Sequence, residues 1–466
     1  MNPRLTRRHF LQVGAATALG AGLCQGRAAA AEHTLIPAPA RVHLVGANQP
    51  TTAVWAFNGR VPGPTLRLGQ GTVLRAAVEN RLPEATTVHW HGIRLPNAMD
   101  GVPHLTQPPI APGGRFDYRF SVPDAGTFWY HPHVNSSEQI GRGLHGPLIV
   151  EEARPPEVDR DLVWVLDDWR LDRQAAIPPF GQRHDMTHAG RIGQVVTLNG
   201  AISDRVDLRP HERIRLRLIN AANARLFALR FENHHPTVIA LDGMPVAPHG
   251  VERIWLGPAQ RVDLILDAVA APGSVHRVID DAYPEGAYWL TELHYGAEVV
   301  RPTPLTEVVP LPANPVPEPD LVGAVRGEFR LQGGARGSLR QGNLGGRSLG
   351  IRQLVGQGKA WAINGQVAWR YDDPPLMSLQ VGQSAVLTLV NETSFPHPMH
   401  LHGFHFRLLS RDGEPVARQP WRDTVLVWPR ERVEVAFVAE RAGQWMFHCH
   451  TLAHQGGGLM GVIAVA

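Results

Sequence analysis

Apolar and polar residues alternate with a period of two in short runs along most of the chain. Thr72-Val73-Leu74-Arg75-Ala76-Ala77-Val78 and Ile214-Arg215-Leu216-Arg217-Leu218 are the clearest. An extended backbone points successive side chains to opposite faces, so these runs predict β-strands with one buried face. No segment of about 12 or more residues carries a 3.6-residue period, and helices are expected to be few and short. Gly and Pro interrupt the runs at the spacing of roughly 8–12 residues that marks sandwiches and barrels, so the fold class is all-β.

An internal repeat groups these strands. Asn-Gly occurs at Asn58-Gly59, Asn199-Gly200 and Asn364-Gly365, and each pair opens a strand-like run that closes on another asparagine, Asn80, Asn220 or Asn391. Asn-Gly is a strong former of tight turns between strands. The copies lie roughly 140 to 165 residues apart, so the repeating unit is a whole domain. Three β-sandwich domains are expected, over residues 32–153, 154–308 and 335–466. Between Arg301 and Asp320 stand seven prolines, the mark of a stiff linker, which is assigned to 309–334. The Gly- and Arg-rich stretch 323–359 shows little periodicity and reads as a long surface loop or a partly disordered segment.

Composition changes this picture mainly at the N-terminus. The chain has 466 residues, 43% hydrophobic and 19% charged, too few charges for a coiled coil or a polyelectrolyte. Residues 1–31 carry Arg4, Arg7, Arg8 and Arg27 with no acid, then an apolar run from Phe10 to about Leu23 and the small residues Ala28-Ala29-Ala30-Ala31. That is a secretory signal, and the Arg7-Arg8 pair makes it a twin-arginine one. Removing it turns the formal charge of +3 slightly negative, so basicity gives no argument for nucleic acid. A periplasmic or secreted protein without a stable membrane anchor is expected, with the twin-arginine export machinery as a partner. No other apolar run approaches the roughly 18 residues of a membrane span. Cys24 leaves with the signal, so Cys449 stands alone and a disulfide scaffold is excluded.

The chemistry lies near the two ends of the mature chain. Four His-x-His pairs occur: His89-Trp90-His91, His131-Pro132-His133, His400-Leu401-His402 and His448-Cys449-His450. Two fall in the first repeat, two in the last and none in the middle. Residues i and i+2 of a strand share a face, so each pair presents two imidazoles to one point, and eight could converge between two domains on a multinuclear metal site. Cys449 projects to the opposite face from its neighbours. With His397 and His454 it makes a His₂Cys set, the donor set of a blue-copper site when the axial ligand is weak or absent. The short covalent path from Cys449 to His448 and His450 suits electron transfer.

The motifs HWHG (89–92), WYHPH (129–133), HPMHLHG (397–403) and HCHTLAH (448–454) resemble the four copper signatures of the three-domain multicopper oxidases, a family that includes laccases and bacterial copper-resistance oxidases. The resemblance covers the mature chain. It implies three cupredoxin-like Greek-key domains and four copper ions: one type 1, one type 2 and a type 3 pair. It assigns His397, Cys449 and His454 to type 1, His89 and His400 to type 2, and His91, His131, His133, His402, His448 and His450 to the type 3 pair. It implies a laccase-like enzyme, active as a monomer. Four one-electron oxidations of phenols, aromatic amines or similar donors, near an exposed edge of His454 or His397, would be coupled to reduction of dioxygen to water. A cuprous oxidase serving copper tolerance and a copper-free cell-division or scaffold relative are the alternatives. A nitrite reductase would use fewer histidines.

Some positions depart from the family pattern or stay open. The axial position falls by spacing on Leu459, with Met460 next to it. Gln455 stands where many bacterial relatives carry a glutamate thought to relay protons. Asp100, in Asp100-Gly101, is a candidate proton donor or a plain turn residue. Asp423 is expected near the type 1 copper, either as a donor-binding group or as a buried structural acid. The mature chain holds no methionine cluster of the kind suited to Cu(I), which favours organic donors. His104, His145, His234 and His235 match no motif and are expected at the surface or in packing.

Overall fold

The computed structural model describes residues 31–466 apart from Asp204, Arg370 and Asp372, so the signal segment expected over 1–31 lies outside the described residues except for Ala31. The described residues form stacked β-sheets with a few helices of five or six residues. In the first segment, strands Ala31–Leu35, Val73–Glu79 and Arg115–Ser121 form one sheet. A second has the order Leu66–Gly69, Gly146–Glu151, Gly126–His131, His89–His91, and Pro37–Val42 pairs with Thr52–Phe57 in a third. The middle segment has sheets of six and five strands. In the last segment a five-stranded sheet runs Met377–Leu379, Met460–Val465, Gly443–Cys449, His397–Leu401, Thr424–Val427, against a larger sheet built on Ser384–Asn391 and Arg432–Val438. Each segment encloses its own apolar core, around Trp90 and Phe128, Leu218 and Phe227, and Trp361 and Trp445 respectively. Among the described residues no helix is long and apolar enough to cross a membrane.

The repeated asparagines do the same work three times. Asn58, Asn199 and Asn364 adopt φ of 53°, 53° and 51°, and the glycine after each is also left-handed, the conformation a two-residue hairpin turn needs. Each side chain clamps a neighbouring strand by its backbone. Asn58 accepts from Ile36 N (2.7 Å) and donates to Thr34 O (2.9 Å), Asn199 pairs likewise with Val165 and Val163, and Asn364 with Arg330 and Glu328. The closing asparagines are buried. Asn80 binds Glu84 O and Ile110 O, Asn220 binds Arg225 O and Leu256 O, and Asn391 binds Phe395 O and Val427 O. Each also accepts from the amide two residues on, pinning the turn at the strand end.

Two expectations are corrected. The alternation in Ile214–Leu218 does not mark a half-exposed strand, because Arg213–Asn220 is buried on both faces. Arg215 is paired with Glu152 and Asp263, and Arg217 with Asp161 and Asp263, so the polar face meets buried acids instead of water. The stretch 323–359 is not a loop. Val325–Gly333 pairs in parallel with Ser384–Asn391, so the third sheet begins inside the segment assigned to the linker. Gln341–Leu344 and Arg347–Gly350 form a hairpin leading into the helix Ile351–Gly356. Only a few apolar residues hold this region, Phe329 and Leu331 in the main core and Leu339, Leu344 and Leu354 in a satellite, too sparse a pattern to stand out among the glycines. The proline-rich segment before it runs without strands and is pinned by Asn314, which exchanges hydrogen bonds with both backbone groups of Ala125.

Candidate metal centre

Four strands, the turns that follow them and the short helix Leu452–Gly456, which holds His454, carry the expected residues to two buried points. His89 stands opposite His131 across the pair His89–His91 and Gly126–His131, and His400 stands opposite His448 across His397–Leu401 and Gly443–Cys449. The two edges meet face to face. His89 stacks on His402 at 3.8 Å between ring centroids, and His91 on His400 at 3.7 Å. Together with His133 and His450 this brings all eight paired histidines into one cluster, each at most 4% exposed. Within it His89, His91 and His400, then His91, His131 and His450, then His400, His402 and His448 each place their ring nitrogens within 4.8 Å of one another.

The hydrogen bonds decide which nitrogens are free. His402 Nδ1 donates to Asp100 Oδ2 at 2.8 Å and His448 Nδ1 donates to Cys449 O at 3.0 Å, so both Nε2 atoms are bare lone pairs, and they face each other at 3.1 Å. His131 Nδ1 donates to Pro132 O, and its Nε2 faces that of His450 at 3.4 Å. His89 Nδ1 donates to Asp100 O and His400 Nδ1 to Asp423 O, both leaving Nε2 buried with no partner. His91 is reversed: its Nε2 meets Asp423 Oδ1 at 3.2 Å, and Nδ1 turns inward, 3.4 Å from His131 Nε2. Burial pushes His91, His131, His133, His402, His448 and His450 well below the usual histidine range, aided by neighbouring imidazoles, and lowers His400 too. Neutral imidazoles with lone pairs converging in a dry cavity repel one another and cannot bond among themselves. Cations between them resolve the conflict, and soft-to-borderline nitrogen donors fit copper.

The second point is His397, Cys449 and His454, all 0% exposed. His454 Nε2 donates to His188 O at 2.6 Å. His397 Nε2 meets Thr393 Oγ1 at 2.8 Å, and because that hydroxyl donates to Asn391 Oδ1, the imidazole is the donor. Both Nδ1 atoms are thus free and aim at Cys449 Sγ, at 3.4 and 3.8 Å. Burial takes His454 down to about 3 and the Cys449 thiol up to about 12. Leu459 is buried in the same apolar cluster as Cys449, and its carbonyl accepts from Cys449 N at 3.0 Å. Met460 pairs across the sheet with His448, on the opposite face of the strand from Cys449. Of the two expected residues, Leu459 is the one that shares the apolar surroundings of Cys449.

Other expected residues fall as follows. Asp100 is fully buried and holds both His402 and His89, while Gly101 beside it has φ +79° and leaves no room for a Cβ, which would lie 1.9 Å from Val88 O. Gln455 Nε2 lies 3.5 Å from His133 Nδ1. Asp423 is not at the cysteine site. It lies behind the histidine cluster, where it accepts two hydrogen bonds from Arg261, one from Thr424 Oγ1 and one from His91. Burial opposes its ionisation, but Arg261 and His91 outweigh that and hold its carboxyl well below the usual carboxylate range. Gly92 must be glycine here, since a Cβ would meet Arg261 Nη2 at 2.5 Å and Asp423 Oδ2 at 2.6 Å. His145 and His234 are packing residues, bonded to Asp167 and to Tyr295 Oη.

Several residues have no motif to reveal them. Arg261 belongs to a strand of the middle segment and looks like any alternating arginine. Trp361, likewise outside any motif, lies 4.1 Å from the His454 ring, whereas Trp129, which walls the cluster 4.3 Å from His131, opens the WYHPH motif. The expected exposed imidazole edge at the cysteine site is absent. His454 is covered by Trp361 and by the carbonyl of His188, and His397 is equally buried.

Three family models, each described as multicopper oxidase, match residues 40–155, 160–276 and 348–466. The chain is 31% identical to "Multicopper oxidase MmcO" of Mycobacterium tuberculosis over 98% of this chain and 96% of that one. It is 29% identical to "Laccase-1" of Botryotinia fuckeliana, over 89% and 78%. The crystal structure of a multi-copper oxidase from Pseudomonas thermotolerans superposes with a TM-score of 0.82 at 36% identity, covering 94% of this chain and all of that one.

Proposed function

The chain belongs to the multicopper oxidase family, and on that premise we propose that it draws electrons singly from phenols and aromatic amines at His397, Cys449 and His454 and spends four of them on one dioxygen between its first and last segments. It is an oxidase with dioxygen as acceptor and a cupredoxin-like fold. The observation that carries the proposal is the set of inward lone pairs, six of them on His89, His91, His131, His400, His402 and His448, fixed by outward N–H donation to carbonyls and carboxylates.

Four copper ions fit these donors: one at the His₂Cys set, and three held by the histidine cluster in the type 2 and type 3 assignment made from the motifs. When bound, copper supplies one-electron oxidation of the donor and reduction of dioxygen to water. The chain's own residues prepare the geometry. Asp100, through its carbonyl and carboxylate, keeps His89 and His402 in the Nδ1–H form, and it is the acid placed to pass protons to the cluster. Gln455 stands beside His133 and has no carboxyl to share that task. Cys449 lies between His448 and His450, so a single backbone segment joins the two points. Leu459, in the apolar cluster that holds Cys449, has no donor atom in its side chain, and copper held by His397, Cys449 and His454 would, without a thioether from that residue, have a higher potential. The Arg7-Arg8 leader supports export to the periplasm before this chemistry begins.

Copper-loaded protein is expected to show the intense blue thiolate-to-copper band and to consume dioxygen with 2,6-dimethoxyphenol. Colourless protein that takes up no oxygen would refute the proposal. A blue protein that turns over Cu(I) far faster than phenols would refute the donor class alone.

A further inference from the structure

No donor can touch either type 1 imidazole, because His397 and His454 are both 0% exposed. Besides Trp361, the cover over His454 comes from the middle segment, on and around the short helix Arg183–Thr187. His188 O accepts from His454 Nε2 at 2.6 Å, Met186 O accepts from Trp361 Nε1 at 2.6 Å, and Ala335 N donates to Thr187 O at 2.6 Å. Gly190, φ +88°, presses so close that a Cβ would lie 2.6 Å from both Ala224 Cβ and Thr451 Cγ2. The inner side of this segment is thus bonded to the ring that would hold the metal. Its outer side carries two imidazoles. Exposed His184 and half-buried His188 lie parallel, with centroids 4.1 Å apart and planes within 8°. Phe395 closes the inner edge, 6.1 Å from His188.

We propose that the His184–His188 stack is the docking platform for planar aromatic donors, and that the electron reaches His454 across the hydrogen bond it makes with the His188 carbonyl. This rests on the reading above that His397, Cys449 and His454 hold the type 1 copper. The open face of His184 offers a flat π-surface on which a phenol ring continues the stack. His188 then links that surface to His454 through its own backbone and one short hydrogen bond. With copper held by His397, Cys449 and His454, that site would accept one electron from the phenol, whose hydroxyl proton goes to water. The phenoxyl radical leaves from an open surface without passing the protein interior.

Two variants separate the platform from the bridge. The double substitution His184→Ala with His188→Ala leaves the His188 carbonyl in place, and both side chains are outside the buried core. It is expected to raise the KM for 2,6-dimethoxyphenol at least five-fold with kcat within two-fold, and to weaken calorimetric binding of 4-nitrophenol, too electron-poor to be oxidised, by a similar factor. Copper content and the blue band should stay unchanged. Gly190→Ala should push the segment off Thr451 and slow anaerobic bleaching of the blue band at saturating phenol at least five-fold, with 4-nitrophenol binding unchanged. Unchanged KM and 4-nitrophenol binding in the double variant would overturn the platform, and a rise in kcat/KM would show the helix to be a lid. Normal bleaching in Gly190→Ala would overturn the bridge. If wild-type protein is blue yet inert to phenols, the donor reading above fails first.

Discussion

The middle segment and the two outer ones share a frame and differ in chemistry. All three use the same asparagine clamps, with Asn199 and Asn220 in the middle bonding as Asn58 and Asn80 do before them. Only the outer segments carry His-x-His pairs, and among the described residues only they bring ring nitrogens to the cluster. The middle segment acts from behind. Arg261 grips Asp423, which orients His91 and His400; Gln260 Nε2 donates to Thr424 O; and His188 O holds His454. The frame is therefore separable from the metal sites, and a segment without a single ligand still sets how three of them, His91, His400 and His454, are turned.

The largest effect that would sharpen this contrast is at Asp423. Asp423→Ala leaves Arg261 charged and buried, at a cost of about 3–5 kcal/mol, and frees the His91 ring. Copper affinity of the cluster should drop about 10- to 100-fold while the blue site stays loaded, read by metal content and urea unfolding. Pairing Arg261→Met with Asp423→Leu should recover part of the stability but not the cluster copper. Recovery of both would mean that the ion pair only packs the interface.

Next in size is acidity. Histidines whose folded pKa is depressed are neutral in the folded state and take up protons on unfolding below about pH 6.5. Their contribution is thus fully present above that pH and is lost as pH falls toward the folded value. For His454, at about 3, copper-free protein should lose about 2 kcal/mol between pH 6.5 and 5, with the other buried cluster histidines adding to it. Equal urea midpoints at pH 7.5 and 5 would mean that these rings are not buried neutral. The frame itself predicts a smaller and uniform effect. Asn58→Ala, Asn199→Ala and Asn364→Ala should each cost about 1–3 kcal/mol with copper content unchanged. A selective loss of copper in the outer two would break the separation of frame from site. Leu459→Met should be smallest in stability yet visible electrochemically. A thioether beside the copper lowers its potential, and each fall of about 59 mV makes the first electron transfer about tenfold less favourable. No shift would place position 459 away from the metal.

What was legible in the chain follows the range of each interaction. The ligands could be read because a strand's period of two ties His-x-His to one face, and Cys449 to the other, within three residues. The Asn-Gly turns were readable for the same local reason. Asp423 stands out in Trp421-Arg422-Asp423-Thr424, and it is the buried structural acid of the two expected roles, but it serves the histidine cluster and not the cysteine site because its position depends on Arg261, 162 residues away in another sheet. The burial of His454 was equally hidden, since a backbone carbonyl covers it, and a carbonyl leaves no mark on the residue type. In 323–359 glycine and arginine concealed a strand whose partner, Ser384–Asn391, supplies most of the regular pattern.

If electrons collected at the buried cysteine site pass along a single strand end to the separate histidine cluster, Cys449 is indispensable to one centre and dispensable to the other. Metal analysis and oxygen uptake of Cys449→Ser test it most directly. The account predicts protein with three coppers instead of four, no blue band, and oxygen consumption with phenols reduced more than about 100-fold. A variant that still turned over phenols at the wild-type rate, or one that lost all four coppers together, would contradict it.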